Sequence, residues 1–192
     1  MACSSKEDQP QRVERMKLVT SNIDKWREAE RILGTALERV SLDLPELQAA
    51  TTASVALEKV RAAFDALGDG VIVEDAGVEL LALGGFPGPY IKWWEKTGGL
   101  TSICRALDTM NDRRAVAVCC LGVARASELF VVEGRCEGTI SLEPRGTNGF
   151  GWDAIFIPQG ETRTFGEMSA AEKDAVSHRR RAWEALRATS PP

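Results

Sequence analysis

The sequence predicts a mixed α/β or α+β domain, and two observations support this. Short apolar runs typical of strands are interspersed with amphipathic segments of helical period, without the strict alternation of a wholly parallel fold. The chain of 192 residues is 44% hydrophobic and 27% charged, which is ordinary for one globular domain with a sizeable core. No internal repeat, low-complexity segment or interdomain linker interrupts it.

Each element follows from periodicity and from the residues that end a run. Asn22 is suited to cap a helix and Gly34 to end it, while the spacing of Leu57, Val60 and Phe64 indicates the clearest helix. In chain order we predict a strand over residues 16–20, a helix over 24–34, a strand over 39–44, a helix over 53–67, a strand over 71–73, helices over 90–96 and 100–107, strands over 115–124, 129–136 and 155–157, and a helix over 171–187. Residues 1–14 are polar and without periodicity, so we expect a disordered N-terminal tail before a single domain over 15–192.

Charge and cysteine usage limit the classes of function. The net charge of −4 argues against a nucleic-acid binder, although a local cluster of lysines still allows a small anionic ligand. The five cysteines show no C-x-x-C spacing, which indicates reduced thiols. The N-terminus lacks the apolar core of a signal peptide, and no apolar run approaches the roughly 18 residues that span a bilayer. These features predict a cytoplasmic protein that contacts no membrane.

The first candidate site is the strand-to-helix turn Thr20-Ser21-Asn22, followed by Lys25. Free backbone N–H groups and the positive end of a helix favour an anion there, and Lys25 is placed to reach a phosphate. Taken alone, an ordinary capped helix with a solvated lysine explains the turn better. No Walker motif occurs in the chain.

The second candidate is Glu74-Asp75, at the predicted end of an apolar strand. Ligand sites in α/β sheets gather at such strand ends. Because neighbouring residues of a strand point to opposite faces, the two carboxylates are expected to serve different tasks. One of them is suited to Mg²⁺, which takes one or two protein carboxylates; a solvated acidic turn is an equal alternative. Glu46, after Pro45, is a weaker candidate of the same kind.

The third candidate is the glycine-rich loop from Gly146 to Asp153. Its glycines allow the backbone to approach a ligand, and the face of Phe150 is suited to stack on a flat base. A hairpin loop with aromatic anchors in the core explains the pattern equally well.

The fourth candidate lies in the last predicted helix. Lys173, Ser177 and Arg180 are spaced to share one helix face. His178, the only histidine of the chain, stands beside Arg179, and taken alone such a histidine is more often a surface residue.

Together these segments resemble the inosine triphosphate pyrophosphatase family over residues 16–186. The resemblance is carried by motifs in family order: Thr20-Ser21-Asn22 with Lys25, Leu44-Pro45-Glu46, Val73-Glu74-Asp75, the long segment from Ala82 to Trp93, Gly149-Phe150-Gly151-Trp152-Asp153, Glu172-Lys173 and Ala175-Val176-Ser177-His178-Arg179. Any one motif is weak, but the ordered set is highly specific.

The resemblance implies an α/β fold with an elongated mixed β-sheet flanked by helices, two lobes with an active-site cleft between them, and a homodimer. It implies hydrolysis of ITP, dITP and XTP to the monophosphate and pyrophosphate, with Mg²⁺ as cofactor and Mn²⁺ as a substitute. Catalysis would rest on Asp75, Glu74 and Lys25, and the metal on Glu46 and Asp75. The substrate-binding residues it implies are Thr20, Ser21, Asn22, Lys25, Lys59 and Lys92 around the triphosphate, and Phe150, Gly151, Trp152, Asp153, Lys173, Ser177, His178 and Arg179 around the base.

One position departs from the family pattern. Members usually carry Ser or Thr after the acidic pair, whereas this chain has Ala76, which removes one hydroxyl near the metal or the phosphates. Two alternatives stay open: a nucleotide-binding regulatory module without turnover, and a pyrophosphatase for other modified nucleotides.

Overall fold

In the computed structural model of the chain, residues 16–44, 47–68, 70–125 and 128–189 are described. Across these ranges the chain forms seven β-strands and five α-helices. The strands are β1 (Lys17–Val19), β2 (Arg39–Val40), β3 (Val71–Leu80), β4 (Pro87–Gly88), β5 (Arg114–Arg125), β6 (Glu128–Ile140) and β7 (Phe156–Pro158). The helices are α1 (Ile23–Leu33), α2 (Thr52–Leu67), α3 (Ile91–Ala106), α4 (Ala170–Val176) and α5 (His178–Ala188).

The strands form one mixed sheet, in the order β2-β1-β3-β5-β6-β7, with β4 paired to β3. β1 is parallel to both β2 and β3, while β5 is antiparallel to both of its neighbours, β3 and β6. Between β1 and β3, Val19 lies opposite Val73, so the turn after β1 and the acidic pair of β3 come to the same edge. The predicted mixed sheet is therefore confirmed.

Helices cover both faces of the β1 end of the sheet. On one face Leu18 and Ile72 pack against Trp183 of α5. On the other, Val73 packs against Val60 of α2. The alternation of β3 between these two clusters also separates Glu74 from Asp75, as the period of two predicts.

A second lobe forms at the far end of the same long strands. There Leu80 of β3 and Phe156 of β7 share a core with Ile103 of α3. The three long strands β3, β5 and β6 run through both lobes, and the open space between the lobes is the predicted cleft.

A glycine of β6 fixes the position of α5. A Cβ at Gly134 would collide with the His178 carbonyl and with the Ala182 backbone. The helix therefore packs directly on the strand, which brings its first residues, His178 and Arg179, to the lining of the cleft.

Several boundaries differ from the sequence prediction. β3 continues to Leu80, so Glu74 and Asp75 lie within the strand and not at its end. The two helices predicted over 90–96 and 100–107 are found as two helical segments of α3, separated by a kink at the non-helical Gly99. The predicted last helix is instead two, because Ser177 ends α4 and caps α5.

Some expectations fall outside the described ranges. These are the tail over residues 1–14 and the candidate metal ligand Glu46 with Pro45. None of the helices in the described ranges has the length and apolar character that crossing a bilayer requires.

Candidate functional site

A cleft of about 600 Å³ lies between the two lobes. Its volume is in the range of small-molecule sites. Every predicted site residue of the described ranges lines it except Ser177; the lining set from the prediction is Thr20, Ser21, Asn22, Lys25, Lys59, Glu74, Asp75, Lys92, Phe150, Gly151, Trp152, Asp153, Lys173, His178 and Arg179. The structure thus brings together residues that are up to 159 positions apart, from Thr20 to Arg179.

The turn after β1 forms one end of the cleft. The Asn22 side chain accepts hydrogen bonds from the backbone of Asp24 (2.9 Å) and Lys25 (3.2 Å), which confirms the predicted helix cap. The Thr20 hydroxyl accepts a bond of 3.1 Å from the Asn22 amide. Lys25 leans from the first turn of α1 towards β3, where its Nζ lies 3.4 Å from Glu74 Oε1.

Asp75 lies at the same end but on the other face of β3. Its Oδ1 accepts a 2.6 Å hydrogen bond from Nζ of Lys59, which projects from α2. Lys92, at the start of α3, lines the cleft from the second lobe. Lysines from three elements therefore line the same cleft as the Asp75 carboxylate, an arrangement suited to a polyanion with its counter-ion.

Glu74 is held beneath the cleft by ion pairs with Arg179 and Lys25. Two parallel hydrogen bonds of 2.9 Å join its carboxylate to the Arg179 guanidinium, and its side chain has no exposed surface. Burial raises the pKa of the Glu74 carboxyl, but Arg179 and Lys25 together hold it below the ordinary value. Glu74 is thus a buried anion that holds Arg179 and Lys25 in place.

The other end of the cleft is aromatic. The Phe150 backbone N–H donates to Asp153 at 2.8 Å, which folds the loop into a short 3₁₀ turn over Gly151–Ile155. A Cβ at Gly149, where φ is +71°, would collide with the Asp153 carboxylate, so glycine is required there. The loop lines the cleft, as the binding-loop interpretation predicts. Trp152 also packs in the core, as the alternative of a hairpin loop with aromatic anchors predicts.

Lys173 connects this end to the buried ion pairs of Glu28, Arg179 and Glu74. Its Nζ donates to Glu28 and to Asp153, each at 2.6 Å, and lies 4.8 Å from the centre of the Phe150 ring. Glu28 also pairs with Arg179. Burial raises the pKa of the Asp153 carboxyl although Lys173 opposes this. Burial likewise raises the pKa of Glu28, but Arg179 and Lys173 hold it below the ordinary value.

His178 is buried in the wall of the cleft, so the expectation of a surface histidine is wrong. Its ring lies 5.1 Å from that of Trp152. Neither ring nitrogen has a hydrogen-bond partner in the described ranges. Burial, then the nearby Arg179 and Lys173, lower the His178 pKa well below its ordinary value. The neutral ring offers one donor and one acceptor to a ligand.

Ser177 does not line the cleft. Its hydroxyl caps α5 by accepting a 3.1 Å bond from the Arg180 amide. The expected common face of Lys173, Ser177 and Arg180 is wrong, because the chain turns at this cap. Lys173 is buried, whereas Arg180 points outward to Glu184.

The metal expectation is met only in part. Among the described residues no group of three His, Cys, Asp or Glu side chains is placed to hold a metal ion. Of the two predicted metal ligands, Glu46 and Asp75, only Asp75 lies in the described ranges. A single carboxylate that lines the cleft still fits Mg²⁺, which completes its shell with water and phosphate oxygens.

The lining residues that the sequence did not indicate include the charged side chains of Asp43, Glu95 and Lys96. Glu28, buried just below, was missed as well. Helical spacing offered a signal for two of them, since Glu28 stands three residues after Lys25 and Glu95 three after Lys92. That spacing is weak evidence, because solvated charges on a helix are spaced in the same way.

An α/β protein with this cleft, cationic at one end and aromatic at the other, is built to bind an anionic ligand that carries a flat ring. The chain belongs to the Ham1 family, whose model matches residues 16–189. The resemblance read from the motifs is thereby confirmed.

Similar proteins include two pyrophosphatases. The inosine triphosphate pyrophosphatase 1 of Trypanosoma cruzi is 40% identical over 175 residues, covering 89% of each chain. The dITP/XTP pyrophosphatase of Methanopyrus kandleri is 42% identical over 169 residues, covering 86% of this chain and 90% of its own. The solved HAM1 protein of Coxiella burnetii superposes with a TM-score of 0.78 at 27% identity, over 90% of this chain and 97% of its own.

Proposed function

We propose that this chain is a pyrophosphatase that hydrolyses deaminated purine nucleoside triphosphates, namely ITP, dITP and XTP, to the monophosphate and pyrophosphate. One observation carries the proposal: the Lys59–Asp75 pair and the ring of Phe150 face the same cleft. The identities of 40% and 42% with enzymes named for this reaction support it. Residues 15–192 would form the one pyrophosphatase domain.

The triphosphate binds at the end formed by the turn after β1. Backbone N–H groups of the Thr20–Asn22 turn and the ammonium groups of Lys25, Lys59 and Lys92 offset its charge. As the bond to the α-phosphorus breaks, negative charge develops on the departing pyrophosphate, and the same lysines stabilise it.

Asp75 is the group we assign to water activation. Its carboxylate lies in the cleft beside Lys59 and accepts the proton of a water that attacks the α-phosphorus. Glu46 and Asp75 are the residues proposed to hold Mg²⁺, for which Mn²⁺ would substitute. The bound metal would supply further neutralisation of phosphate charge. Glu74 acts as a positioning residue, since Arg179 and Lys25 occupy its carboxylate.

The base stacks on Phe150, within a pocket shaped by Gly151, Trp152 and Asp153. Lys173 is the donor best placed for a 6-oxo group, because an ammonium has three N–H bonds and no acceptor, and Glu28 and Asp153 accept from only two of them. Arg179 is less available, since its nitrogens bond to Glu74 and Glu28. An adenine amine placed against Lys173 would leave both donors unpaired, which gives strong discrimination.

The assembly and compartment belong to the same proposal. The described cysteines are all free, which supports a reducing, cytoplasmic location. Leu81 and Trp93 are exposed at 40% and 47%, and such apolar surface supports the homodimer that the family resemblance implies. Sedimentation equilibrium measures that assembly directly.

Pyrophosphate release from ITP, XTP, dUTP, TTP and ATP, with Mg²⁺ and with EDTA, tests the activity. Rapid, metal-dependent cleavage of ITP and XTP, with ATP spared, is the expected result. Cleavage of dUTP or TTP instead would indicate a pyrophosphatase for other nucleotides. A folded protein that binds ITP and cleaves nothing would be a regulatory module.

A further inference from the structure

Glu95 lines the cleft on the helix of Lys92 and close to Gly151, a position that no motif assigned to it. It stands on α3 one helical turn after Lys92, and both line the cleft. A Cβ built on Gly151 would lie 3.4 Å from Glu95 Oε2. The carboxylate therefore rests against the backbone that joins Phe150 to Trp152.

The electrostatic state of Glu95 differs from that of its acidic neighbours. Glu74, Asp75 and Asp153 each form an ion pair, whereas no hydrogen bond or ion pair joins Glu95 to any part of the described chain. Partial burial and the Asp153 carboxylate raise the pKa of Glu95, which the nearby Lys96 only partly offsets. Water can hydrate this partly exposed carboxylate in the open cleft, so a ligand that displaces the water must donate to the carboxylate in its place.

The chemistry of a nucleotide limits which part of the ligand lies there. Its phosphates are anionic and repel a carboxylate, and they bind beside Lys92 in the proposed function. Its base stacks on Phe150. Between them comes the sugar, whose hydroxyl groups are neutral donors. Acidic side chains accept from ribose hydroxyls in other nucleotide sites, as in dinucleotide-binding folds.

We propose that Glu95 is a specificity-determining residue that accepts a hydrogen bond from a sugar hydroxyl of the bound nucleotide. This inference rests on the proposed function, because it places the sugar between the phosphate and base ends of the cleft. It assigns to α3 a reading of the sugar that is separate from the reading of the base by Lys173 and His178.

The test compares kcat/KM for ITP, 2′-deoxy-ITP and 3′-deoxy-ITP in the wild type, Glu95→Ala and Glu95→Gln. A hydrogen bond to a charged acceptor corresponds to about a tenfold to hundredfold effect. We expect Glu95→Ala to lower kcat/KM for ITP by that factor and to leave unchanged the value for the analogue that lacks the bonded hydroxyl. Glu95→Gln retains an amide oxygen and should fall between the two proteins. Glu161→Ala, which removes an exposed glutamate outside the cleft, should match the wild type on all three substrates.

The two deoxy analogues show which hydroxyl donates. An equal loss on all three substrates would overturn the inference, since the carboxylate would then act on the base or the fold. No loss on any substrate would overturn it too. A wild type that releases no pyrophosphate from any of the three would overturn the proposed function and this inference together, a result distinct from the other two.

Discussion

Arg179 and Glu74 form a bidentate ion pair beneath the cleft, with Nε–Oε2 and Nη2–Oε1 distances of 2.9 Å each. The side chains are 2% and 0% exposed. The pair joins the first turn of α5 to β3 and is flanked by Lys25 and Glu28. A guanidinium matches a carboxylate in this geometry as an ammonium does not.

Arg179→Met should destabilise the fold, because it leaves Glu74 buried without its main counter-charge. The free energy of unfolding in urea at pH 7.5 should fall by about 3–5 kcal/mol. Arg180→Met is the matched control: its partner Glu184 lies one helical turn away on the exposed face, so the loss should be no more than about 0.5 kcal/mol. Equal small losses in both variants would mean that the buried pair contributes nothing special.

Adding Glu74→Leu to Arg179→Met should recover much of the loss, since replacing both partners of a buried pair removes the uncompensated charge. The same urea titration measures this. A double variant less stable than Arg179→Met would contradict the account.

Asp75→Asn should abolish turnover and leave the fold intact. The amide cannot take a proton from water, and loss of a general base typically costs about 10²–10⁴-fold. Pyrophosphate release from ITP measures the rate, and circular dichroism checks the fold. Asp65→Asn, an exposed change on the same helix as Lys59, should retain full activity. Unchanged release by Asp75→Asn would remove the residue from its proposed role.

Phe150→Ala should raise KM for ITP while kcat changes less. Base–aromatic stacking contributes about 1–3 kcal/mol per base, which corresponds to a KM increase of about 5-fold to 150-fold. Phe86→Ala removes a ring that is 55% exposed and is not part of the cleft lining, so its KM should stay at the wild-type value. An unaltered KM in Phe150→Ala would exclude this ring from the base pocket.

Ala76→Thr should change the turnover of ITP only modestly, within about tenfold. Ala76 lines the cleft opposite Cys119 of β5. Because strand residues alternate, a hydroxyl at this position emerges on the side of Glu74 and not of Asp75. Turnover measured beside Ala76→Ser separates the hydroxyl from the added methyl group. Complete loss of activity in the threonine variant would show that this part of β3 has been misinterpreted.

Sequence patterns predicted the elements best where a local signal decides them. The Asn22 cap and the helix stop at Gly34 depend on neighbours along the chain, and both are found. The prediction that the strand ends at Glu74-Asp75 is wrong. Two adjacent acidic residues are typical of a solvated turn, and they lie within a buried strand only when a counter-charge pairs with them. That counter-charge comes from Arg179, 105 residues away, and no local pattern shows it.

The candidate site, like the fold, was predicted where local sequence signals decide it and not where tertiary contacts do. The ordered motifs named most of the residues that line the cleft, but not how those residues pair. The burial of His178 depends on close packing of α5 against Gly134, a tertiary contact without a periodic signature. The break at Ser177 is a local helix cap on the Arg180 amide, set within a run of helical period. Glu28 and Glu95 look like surface charges in sequence, and only the assembled cleft distinguishes them.

The burial of His178 has a consequence for stability against acid. Its pKa is lowered well below the ordinary value by burial and then by Arg179, so the folded state keeps the ring neutral. The unfolded chain takes up a proton on this histidine below about pH 6.5. Stability must then decrease as the pH falls below that value, by about 1.4 kcal/mol per pH unit, until the folded-state pKa is reached.

His178→Gln should remove this dependence, and the chain offers a clean measurement because it contains one histidine. Urea unfolding from pH 8 to pH 5 should give two curves with a constant offset above about pH 7 that converge as the pH falls through 6.5. The difference between the proteins isolates the histidine.

The other shifted groups contribute equally to the stability of both proteins. Asp153 and Glu95, whose pKa values are raised, affect the pH dependence of stability with the opposite sign. The lowered pKa values of Glu28 and Glu74 bring losses only below about pH 4.5. Parallel curves over the whole range would mean that His178 titrates normally in the folded protein and is open to solvent, which would contradict its place in the wall of the cleft.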